Sequence, residues 1–220
     1  MKTFIVIIGI ISFSLISQAV LPSDYKGKPF EDSVYKAGPQ TMPGRIQCAG
    51  FDLGGEGIAY HSDGTNHGAH DLFLVERKRP HATPYIWNFR TNEEVSVSFT
   101  SVEHKDHCIK QDPAPFNPET NQLYVGWTED GQWLNYTVNV KKAGTYKVSV
   151  LYGNDPTTFN FLINHKPAGE FKLPVKTGNM HAWNLAEVGT ITIHETGLQL
   201  LTFQYNKGNN FAWFDFELVE

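Results

Sequence analysis

The chain has 220 residues, with 18 Lys and Arg against 23 Asp and Glu, so its formal net charge is −5 at pH 7. This balance offers no basic surface of the kind that nucleic acid or an anionic membrane requires, which argues against both partners. A chain of this length can bury a hydrophobic core without covalent crosslinks, so a disulfide between its two cysteines would be optional.

The first residues have the pattern of a secretory signal peptide. Lys2 precedes an apolar run over residues 4–16, and Ser17 and Ala19 are small residues three and one positions before a cleavage point. The run of about 13 residues is shorter than the roughly 20 that a membrane-spanning helix needs. We therefore expect residues 1–19 to be removed and a mature protein, secreted or periplasmic, to begin near Val20.

The next part of the chain has little periodicity. Residues 20–42 are rich in Pro, Gly, Lys and Ser, and we interpret them as a leader that packs loosely on the following domain. Between residues 71 and 118, prolines interrupt one alternating strand at 95–99, so most of this stretch is predicted to be an elaborate loop. Such a loop either carries function or covers a sheet edge.

The two cysteines, Cys48 and Cys108, allow two interpretations. An oxidising compartment would permit a bridge between them, and neither has another possible partner. The alternating pattern around Cys48 fits a small buried hydrophobic residue equally well. We predict that the two are close enough to bridge.

From about residue 122 onward the sequence predicts short strands separated by Gly and Asn turns. In residues 133–140 the apolar side chains fall at every second position, which is strand periodicity with one apolar face. Short strands at regular spacing predict an all-β sandwich or jelly roll, here one domain over residues 43–220. The predicted strands are 122–127, 133–140, 146–152, 159–163, 190–193, 198–205 and 211–218.

Several phrases of this sequence, taken together and in order, resemble the family 6 carbohydrate-binding modules of bacterial polysaccharide-degrading systems. The longest is residues 123–140 (LYVGWTEDGQWLNYTVNV), which is fairly specific, whereas the others are weak singly. The resemblance implies a secreted jelly roll of two antiparallel sheets that binds polysaccharide or oligosaccharide and has no active site. The shorter phrases are 43–46 (PGRI), 54–61 (GGEGIAYH), 142–146 (KAGTY) and 210–216 (NFAWFDF).

The resemblance also implies a cleft at the loop end of the sandwich. Trp127 matches the first stacking aromatic of that cleft, and Asn210 matches the asparagine that bonds the sugar hydroxyls. The second aromatic is missing, because Met180 stands in its place with His181 beside it. The expected cleft therefore has one aromatic platform instead of two.

A second candidate surface is the face of one sheet, where Trp133 matches the platform that some family members use. The residues support this on their own, since Trp133 alternates on the polar side of its strand with Asn135 and Thr137. An exposed aromatic ring among hydrogen-bonding groups suits a pyranose ring. The alternative is that the 71–118 loop folds over Trp133. The loop containing Glu56, Tyr60, His61 and His67 is a further candidate for sugar contact.

The family often holds a structural calcium through acidic residues of the first and last strands. In this sequence Gln47 and Ala49 occupy positions where carboxylates are expected, and Ala49 offers no oxygen ligand from its side chain. We therefore expect no cofactor and no conserved metal site. Asp215 or Glu217 could still contribute to a weak structural calcium site.

Catalysis and transition-metal binding are the sharper alternatives. A glycoside hydrolase needs two carboxylates across a cleft, and tight turns explain Glu129-Asp130-Gly131 and Asp63-Gly64 as well as catalysis does; Glu56 and Asp71 are the remaining acidic candidates. The histidines could bind zinc only if three or four ligands converged. We expect a monomer that is not an enzyme, with a sugar-free adhesion sandwich as the remaining alternative, and the sequence does not name the sugar. The histidines concerned are His61, His67, His70, His104 and His107.

Overall fold

The computed structural model describes residues 18–32, 38–62, 89–90, 92–100, 102–104, 107–109, 116–119 and 122–219. Within these ranges the chain forms fifteen β-strands and one short 3-10 helix, η1 (Cys48–Gly50). The strands are β1 (Gln18–Ala19), β2 (Gln40–Met42), β3 (Gly44–Gln47), β4 (Tyr60–His61), β5 (Val97–Phe99), β6 (Val102–His104), β7 (His107–Ile109), β8 (Leu123–Val125), β9 (Trp133–Val140), β10 (Gly144–Asn154), β11 (Thr158–Ile163), β12 (Lys166–Lys172), β13 (Trp183–Ile193), β14 (Thr196–Gln204) and β15 (Asn209–Leu218).

The strands form two main sheets and one separate hairpin. Sheet A has the order β12-β11-β14-β9-β2, with β1 paired to β14 and β4 paired to β9. Sheet B has the order β13-β10-β15-β8-β5, with β3 paired to β15, and β6 pairs with β7. All pairs are antiparallel except β1 with β14 and β2 with β9. This confirms the predicted jelly-roll sandwich of two mainly antiparallel sheets.

The core between the sheets is dominated by aromatic rings. Phe203 of sheet A and Phe214 of sheet B have ring centroids 4.7 Å apart at 71°, and Phe161 approaches Phe214 to 4.9 Å at 80°. Edge-to-face pairs of this kind add to the free energy gained from burying apolar area. The alternation predicted for residues 133–140 is confirmed, because Leu134 and Tyr136 lie in the core with Val138 and Val140.

The strand prediction was accurate in the centre of the sheets and poor at their edges. β9 has the predicted bounds, whereas the predicted strand at 190–193 is only the end of the eleven-residue β13. β12 was missed because most of its residues are exposed or half-buried, so it lacks a hydrophobic signal. Within the 71–118 stretch, the one predicted strand at 95–99 corresponds to β5, whereas the β6–β7 hairpin was missed.

The leader predicted for residues 20–42 contacts the sandwich at several points within the residues that the structure describes. Gln40–Met42 is strand β2, which pairs in parallel with β9, so sheet A begins before the predicted boundary at residue 43. Farther upstream, Lys28 and Leu53 exchange two backbone hydrogen bonds of 2.8 and 2.7 Å. Residues 1–17 of the predicted signal peptide lie outside the described residues.

Cys48 begins η1 and is fully buried as a free thiol. Burial raises its pKa well above the ordinary value. The predicted bridge to Cys108 is not formed in this structure, where Cys48 packs as a small core residue, and the side chain of Cys108 lies outside the described residues. No helix in the described part of the chain is long and apolar enough to cross a membrane.

Candidate functional site

The outward face of sheet A carries a groove of about 350 Å³. On its floor Trp133 lies opposite Gln204 in the β9–β14 register, and Asn135 lies opposite Thr202, which itself lies opposite Leu162 of β11. Each of these positions alternates with a core residue, so the strand period directs the five side chains outward. Trp133 is half-buried there.

Two segments outside the central strands form the groove's walls. The leader contributes Asp24, Tyr25 and Lys26, and the glycine-rich loop before β4 contributes Gly57 and Ile58. The alternative that the 71–118 loop covers Trp133 involves residues that lie partly outside the described ranges. Within those ranges the groove is open to the surface beside Trp133.

Asn135 holds the glycine-rich loop against the sheet. Its amide nitrogen donates to the carbonyl of Ile58 at 2.8 Å, and its side-chain oxygen accepts from the Thr202 hydroxyl at 2.6 Å. The loop reaches this position because Gly55 and Gly57 adopt φ values of 81° and 76°, which side-chain-bearing residues disfavour. Asn135 is 5% exposed, so it fixes the floor and wall and presents little surface to a ligand.

The leader wall is held by a buried carboxylate. Asp52 accepts from the Tyr25 hydroxyl at 2.7 Å and from the backbone N–H and hydroxyl of Thr137 at 2.8 and 2.6 Å. Burial raises the pKa of Asp52, and these hydrogen bonds only partly oppose that shift. Burial, followed by the charge of Asp52, raises the pKa of Tyr25 well above its ordinary value. The phenol therefore stays protonated and donates to the carboxylate.

Arg90 reinforces the same wall from beneath. Its guanidinium lies 3.3 Å from the Phe51 ring centroid and 4.7 Å from that of Phe30 in the leader. One terminal nitrogen donates to the carbonyl of Asp52 at 2.8 Å, and Nε donates to Glu93 at 2.5 Å. A buried cation with these partners fixes the backbone on which the wall is built.

A tight turn places His165 at the groove. Asn164 and His165 join β11 to β12 with φ values of 48° and 66°, the conformation of a two-residue type I′ hairpin turn. His165 Nε2 lies 3.7 Å from Asp24 Oδ1, so the turn meets the leader wall. The charged groups lining the groove are therefore Asp24, Lys26 and, when protonated, His165.

Glu56 and His61 meet beside Trp133. His61 Nδ1 lies 2.5 Å from Glu56 Oε1, and Glu56 Oε2 accepts from the Ser62 backbone N–H at 2.9 Å. His61 is the direct cross-strand neighbour of Trp133, and their ring centroids are 6.2 Å apart with an interplanar angle of 32°. The structure thus unites three residues that the sequence placed in two separate candidate surfaces.

Tyr60, another predicted site residue, faces the core. It is 5% exposed and packs edge-on against Phe51 at 5.7 Å, and its hydroxyl accepts from the Glu94 backbone N–H at 3.4 Å. Successive side chains of a strand point to opposite faces, so Tyr60 points into the core and His61, the next residue, points outward. His67 lies outside the described residues.

The remaining predicted residues gather at the loop end of the sandwich. The Trp127 ring stacks on that of Tyr124 with centroids 6.4 Å apart at 17°, and His181 meets the same Tyr124 edge-on at 6.4 Å. Burial raises the pKa of Tyr124 to about 12. Trp127 has φ 50°, an unfavourable conformation for a bulky residue, so its packing on Tyr124 is part of what holds this hairpin.

Asn210 is enclosed at this end. It is 2% exposed, and its amide nitrogen donates to the Met180 carbonyl at 2.7 Å. A Cβ added at Gly126 would lie 2.5 Å from Asn210 Oδ1, which shows how closely the backbone covers the amide. Met180 is 43% exposed and supplies an apolar side chain where the family places an aromatic ring. The loop end brings together Trp127, Met180, His181 and Asn210. It buries the side-chain amide of Asn210, which was expected to bond sugar hydroxyls.

The two acidic residues of the predicted turn, Glu129 and Asp130, make structural contacts. Asp130 accepts from the Lys207 backbone N–H at 2.9 Å, and Glu129 pairs with the Lys207 ammonium at 2.9 Å. Both carboxylates thus tie the 128–132 turn to the loop before β15, as the turn interpretation implies. Asp63 and Asp71 lie outside the described residues.

The residues that would hold the family's calcium do not fit it. Gln47 accepts from the Gln122 side chain at 2.9 Å, Ala49 is 3% exposed, and Glu217 is paired with Lys147. Calcium prefers several carboxylate and carbonyl oxygens around one point. Among the side chains that the structure describes, no three His, Cys, Asp or Glu residues come together. The side chains of His70, His104 and His107 are outside that set.

Sequence reasoning missed most of the groove lining. Leu162, Thr202 and Gln204 occupy outward positions in strands whose alternation is visible in the sequence, so the period could have marked them as surface residues. Their position beside Trp133 depends on strand register, which the period does not determine. No pattern in the sequence marked the leader residues Asp24 and Lys26 as part of a binding surface.

Comparison with known proteins gives one match in sequence and several in structure. The family model described as carbohydrate binding module (family 6) matches residues 109–218, half of the chain. No curated protein matches the sequence.

Three of the matching solved structures are carbohydrate-binding modules. A family 6 module from Clostridium stercorarium in complex with cellobiose has 12% identity and a TM-score of 0.49 over 83% of this chain and 99% of that one. A β-1,3-glucan-binding family 6 module from Bacillus halodurans has 14% identity and a TM-score of 0.46 over 81% and 98%. A module of lichenase 5A from Cellvibrio mixtus, in complex with cellotriose, has 19% identity and a TM-score of 0.41 over 50% and 87%.

Proposed function

The chain belongs to the family 6 carbohydrate-binding modules, and from that premise we propose that it binds polysaccharide in the groove on sheet A, with Trp133 as the main stacking surface. Modules of this family bind carbohydrate without catalysis and need no cofactor. The function is therefore recognition of a sugar chain.

The observation that carries this proposal is the placement of Trp133. Its half-buried ring is fixed in an open groove of about 350 Å³, directly across from Gln204. The C–H groups of a pyranose pack on an aromatic face while its hydroxyls bond surrounding polar groups. Lys26, Asp24, His165 and Gln204 line the same groove and supply such groups.

The loop end has a different role in this proposal. Asn210, which would bond sugar hydroxyls there, donates its amide hydrogen to the protein and is almost completely buried. Trp127 stacks on Tyr124, and among the residues that the structure describes no second aromatic faces it across a cleft. We assign these residues to holding the hairpins of this end together.

The groove charges favour a neutral polysaccharide. Asp24 and Lys26 carry opposite charges, and His165 lies within 3.7 Å of Asp24. When His165 is neutral, Asp24 offsets Lys26, so a uronic acid or a sulfated sugar would meet no net positive charge among these groups. A neutral glucan, xylan, galactan or mannan carries no charge that the groove must match.

We also propose where the module works and in what form, on the basis of the sequence. The signal-peptide pattern and the resemblance to bacterial polysaccharide-binding modules support a secreted, bacterial, monomeric protein that works outside the cytoplasm. Size-exclusion chromatography of residues 20–220 tests the monomer, and N-terminal sequencing of protein from the culture medium tests the cleavage near Val20.

Affinity electrophoresis of the mature protein tests the function itself. Native gels containing hydroxyethyl cellulose, laminarin, xylan, galactan or galactomannan should retard the protein in at least one case. Gels containing alginate or carrageenan serve as charged comparisons and should not retard it. Retardation by charged polysaccharides alone would contradict the neutral-ligand proposal, and the absence of retardation by all of them would contradict the binding function.

A further inference from the structure

The pair of Glu56 and His61 is built as a unit. The two oxygens of Glu56 are divided between the His61 ring nitrogen at 2.5 Å and the Ser62 backbone N–H at 2.9 Å. A carboxylate held at both oxygens fixes the imidazole ring against rotation. Because the Glu56 and His61 side chains are 41% and 51% exposed, this arrangement is not explained by the burial of a polar group.

The hydrogen bond also determines which ring nitrogen of His61 remains for a ligand. With Nδ1 donating to Glu56, Nε2 accepts a hydrogen bond when the ring is neutral and donates one when the ring is protonated. Either state can bond a sugar hydroxyl, since hydroxyls both donate and accept. Within the described residues, Nε2 has no hydrogen bond to the protein.

His61 lies beside the groove, on the side away from Gln204. It is paired with Trp133 across β4 and β9, whereas Gln204 is paired with Trp133 across β9 and β14. His61 is not part of the groove lining, but its ring lies 6.2 Å from that of Trp133 at a shallow angle of 32°. The two rings form neighbouring parts of one surface that extends beyond the groove.

The side-chain nitrogen and oxygen of Asn135, close to Trp133, already form hydrogen bonds within the protein. Asn135 bonds Ile58 through its amide nitrogen and Thr202 through its oxygen, so neither is available without breaking the floor. On the β4 side, the exposed His61 ring lies directly beside Trp133. A sugar chain that continues past Trp133 in this direction passes over it.

We propose that His61 is a second sugar-contacting ring, which binds the residue adjacent to the one stacked on Trp133, and that Glu56 is the positioning residue that holds it. This proposal rests on the proposed function of the groove. It gives the module a subsite that a short oligosaccharide confined to the groove does not reach and a longer one does. His61 then determines how strongly affinity increases with chain length.

Calorimetry with oligosaccharides of increasing length tests this subsite. The ligands are neutral oligosaccharides, from disaccharide to hexasaccharide, prepared from whichever gel polysaccharide retards the wild type. His61→Ala should weaken binding of the longest ligand about threefold to tenfold, the loss of one hydrogen bond and a ring contact, and leave the shortest unchanged. His61→Asn serves as a second variant, and His194→Ala, at an exposed histidine outside the groove lining, is the matched control.

The positioning role of Glu56 predicts a specific pattern of affinities among its variants. Glu56→Ala should reduce affinity for the longest ligand as much as His61→Ala does. The double variant should bind no more weakly than either single variant, because each single change already removes the positioned His61 ring. Glu56→Gln keeps an acceptor oxygen for His61 and should restore most of the affinity. Additive losses, or equal losses on short and long ligands, would show a general structural effect and overturn the proposal.

The outcomes separate this subsite from the groove itself. If Trp133→Ala weakens all ligands while folded His61→Ala and His61→Asn bind the longest ligand as the wild type does, the groove stands and the subsite is refuted. If Trp133→Ala has no effect, the proposed groove is refuted and the subsite with it. The same holds if no gel polysaccharide retards the wild type.

Discussion

The Tyr25 hydroxyl donates a 2.7 Å hydrogen bond to the Asp52 carboxylate, and this bond ties the leader to the buried strand β9 through Thr137. Tyr25→Phe removes it and leaves the carboxylate with one partner fewer. We expect the unfolding free energy to fall by about 1.5–3 kcal/mol, as for a hydrogen bond to a charged group, and polysaccharide binding to weaken severalfold because the wall loosens.

Urea unfolding and affinity electrophoresis check both effects. Tyr146→Phe is the control, since the Tyr146 hydroxyl also donates a hydrogen bond, to the Lys142 backbone carbonyl, but lies outside the groove lining. It should lose stability and keep its affinity. Unchanged binding by Tyr25→Phe would mean that the leader wall does not shape the site.

Asp52 should make stability depend on pH in an unusual direction for a carboxylate. Because burial raises its pKa in the folded protein, its contribution to stability is complete below the ordinary Asp pKa of about 3.9 and is lost as the pH rises through the raised value. The unfolding free energy of the wild type minus that of Asp52→Asn should therefore increase as the pH falls from 7. A difference that decreases over that range in urea titrations would show that the hydrogen bonds, and not burial, dominate.

Phe203 should be among the residues most important for stability. It is completely buried and contacts the rings of Phe159 and Phe161 in its own sheet and the ring of Phe214 in the facing sheet. Phe203→Ala should reduce the unfolding free energy by about 3–5 kcal/mol through lost burial and an unfilled cavity. Leu198→Ala, at a 37%-exposed position of the same strand, is the control and should change it little. A small effect of Phe203→Ala in urea unfolding would contradict the assigned core.

Cys48 should be chemically inert in the folded protein. Its thiol is fully buried and its pKa is raised, so little thiolate is present and reagents have no access. In a Cys108→Ser background, iodoacetamide should modify Cys48 only after unfolding in urea. Rapid modification of the native protein, followed by mass spectrometry, would show that η1 opens readily.

The sequence was sufficient for the parts of the fold that burial determines. Residues 133–140 predicted β9 and its inward face correctly because apolar side chains at every second position must face a core. β12 was missed because an edge strand has no such requirement, and Gln40–Met42 was missed because its pairing with β9 depends on a distant partner.

The site was predicted only where one residue could be judged alone. Trp133 was recognisable as a large aromatic on the polar side of its strand, but its neighbours Gln204 and His61 come from strands whose register the sequence does not specify. Asn210 was assigned by resemblance, and its burial follows from the close approach of Gly126 and Met180. Contacts between residues that are distant in sequence therefore determine which of the two candidate surfaces is open to a ligand.

Calorimetric titration of Trp133→Ala and Trp127→Ala with the polysaccharide that retards the wild type tests the central claim most directly. Circular dichroism first establishes that both variants are folded. We predict that Trp133→Ala loses a stacking contact of about 1–2 kcal/mol, roughly a tenfold weaker affinity, while Trp127→Ala binds as the wild type does. A tenfold loss in folded Trp127→Ala with full binding by Trp133→Ala would contradict the account and place the site at the loop end.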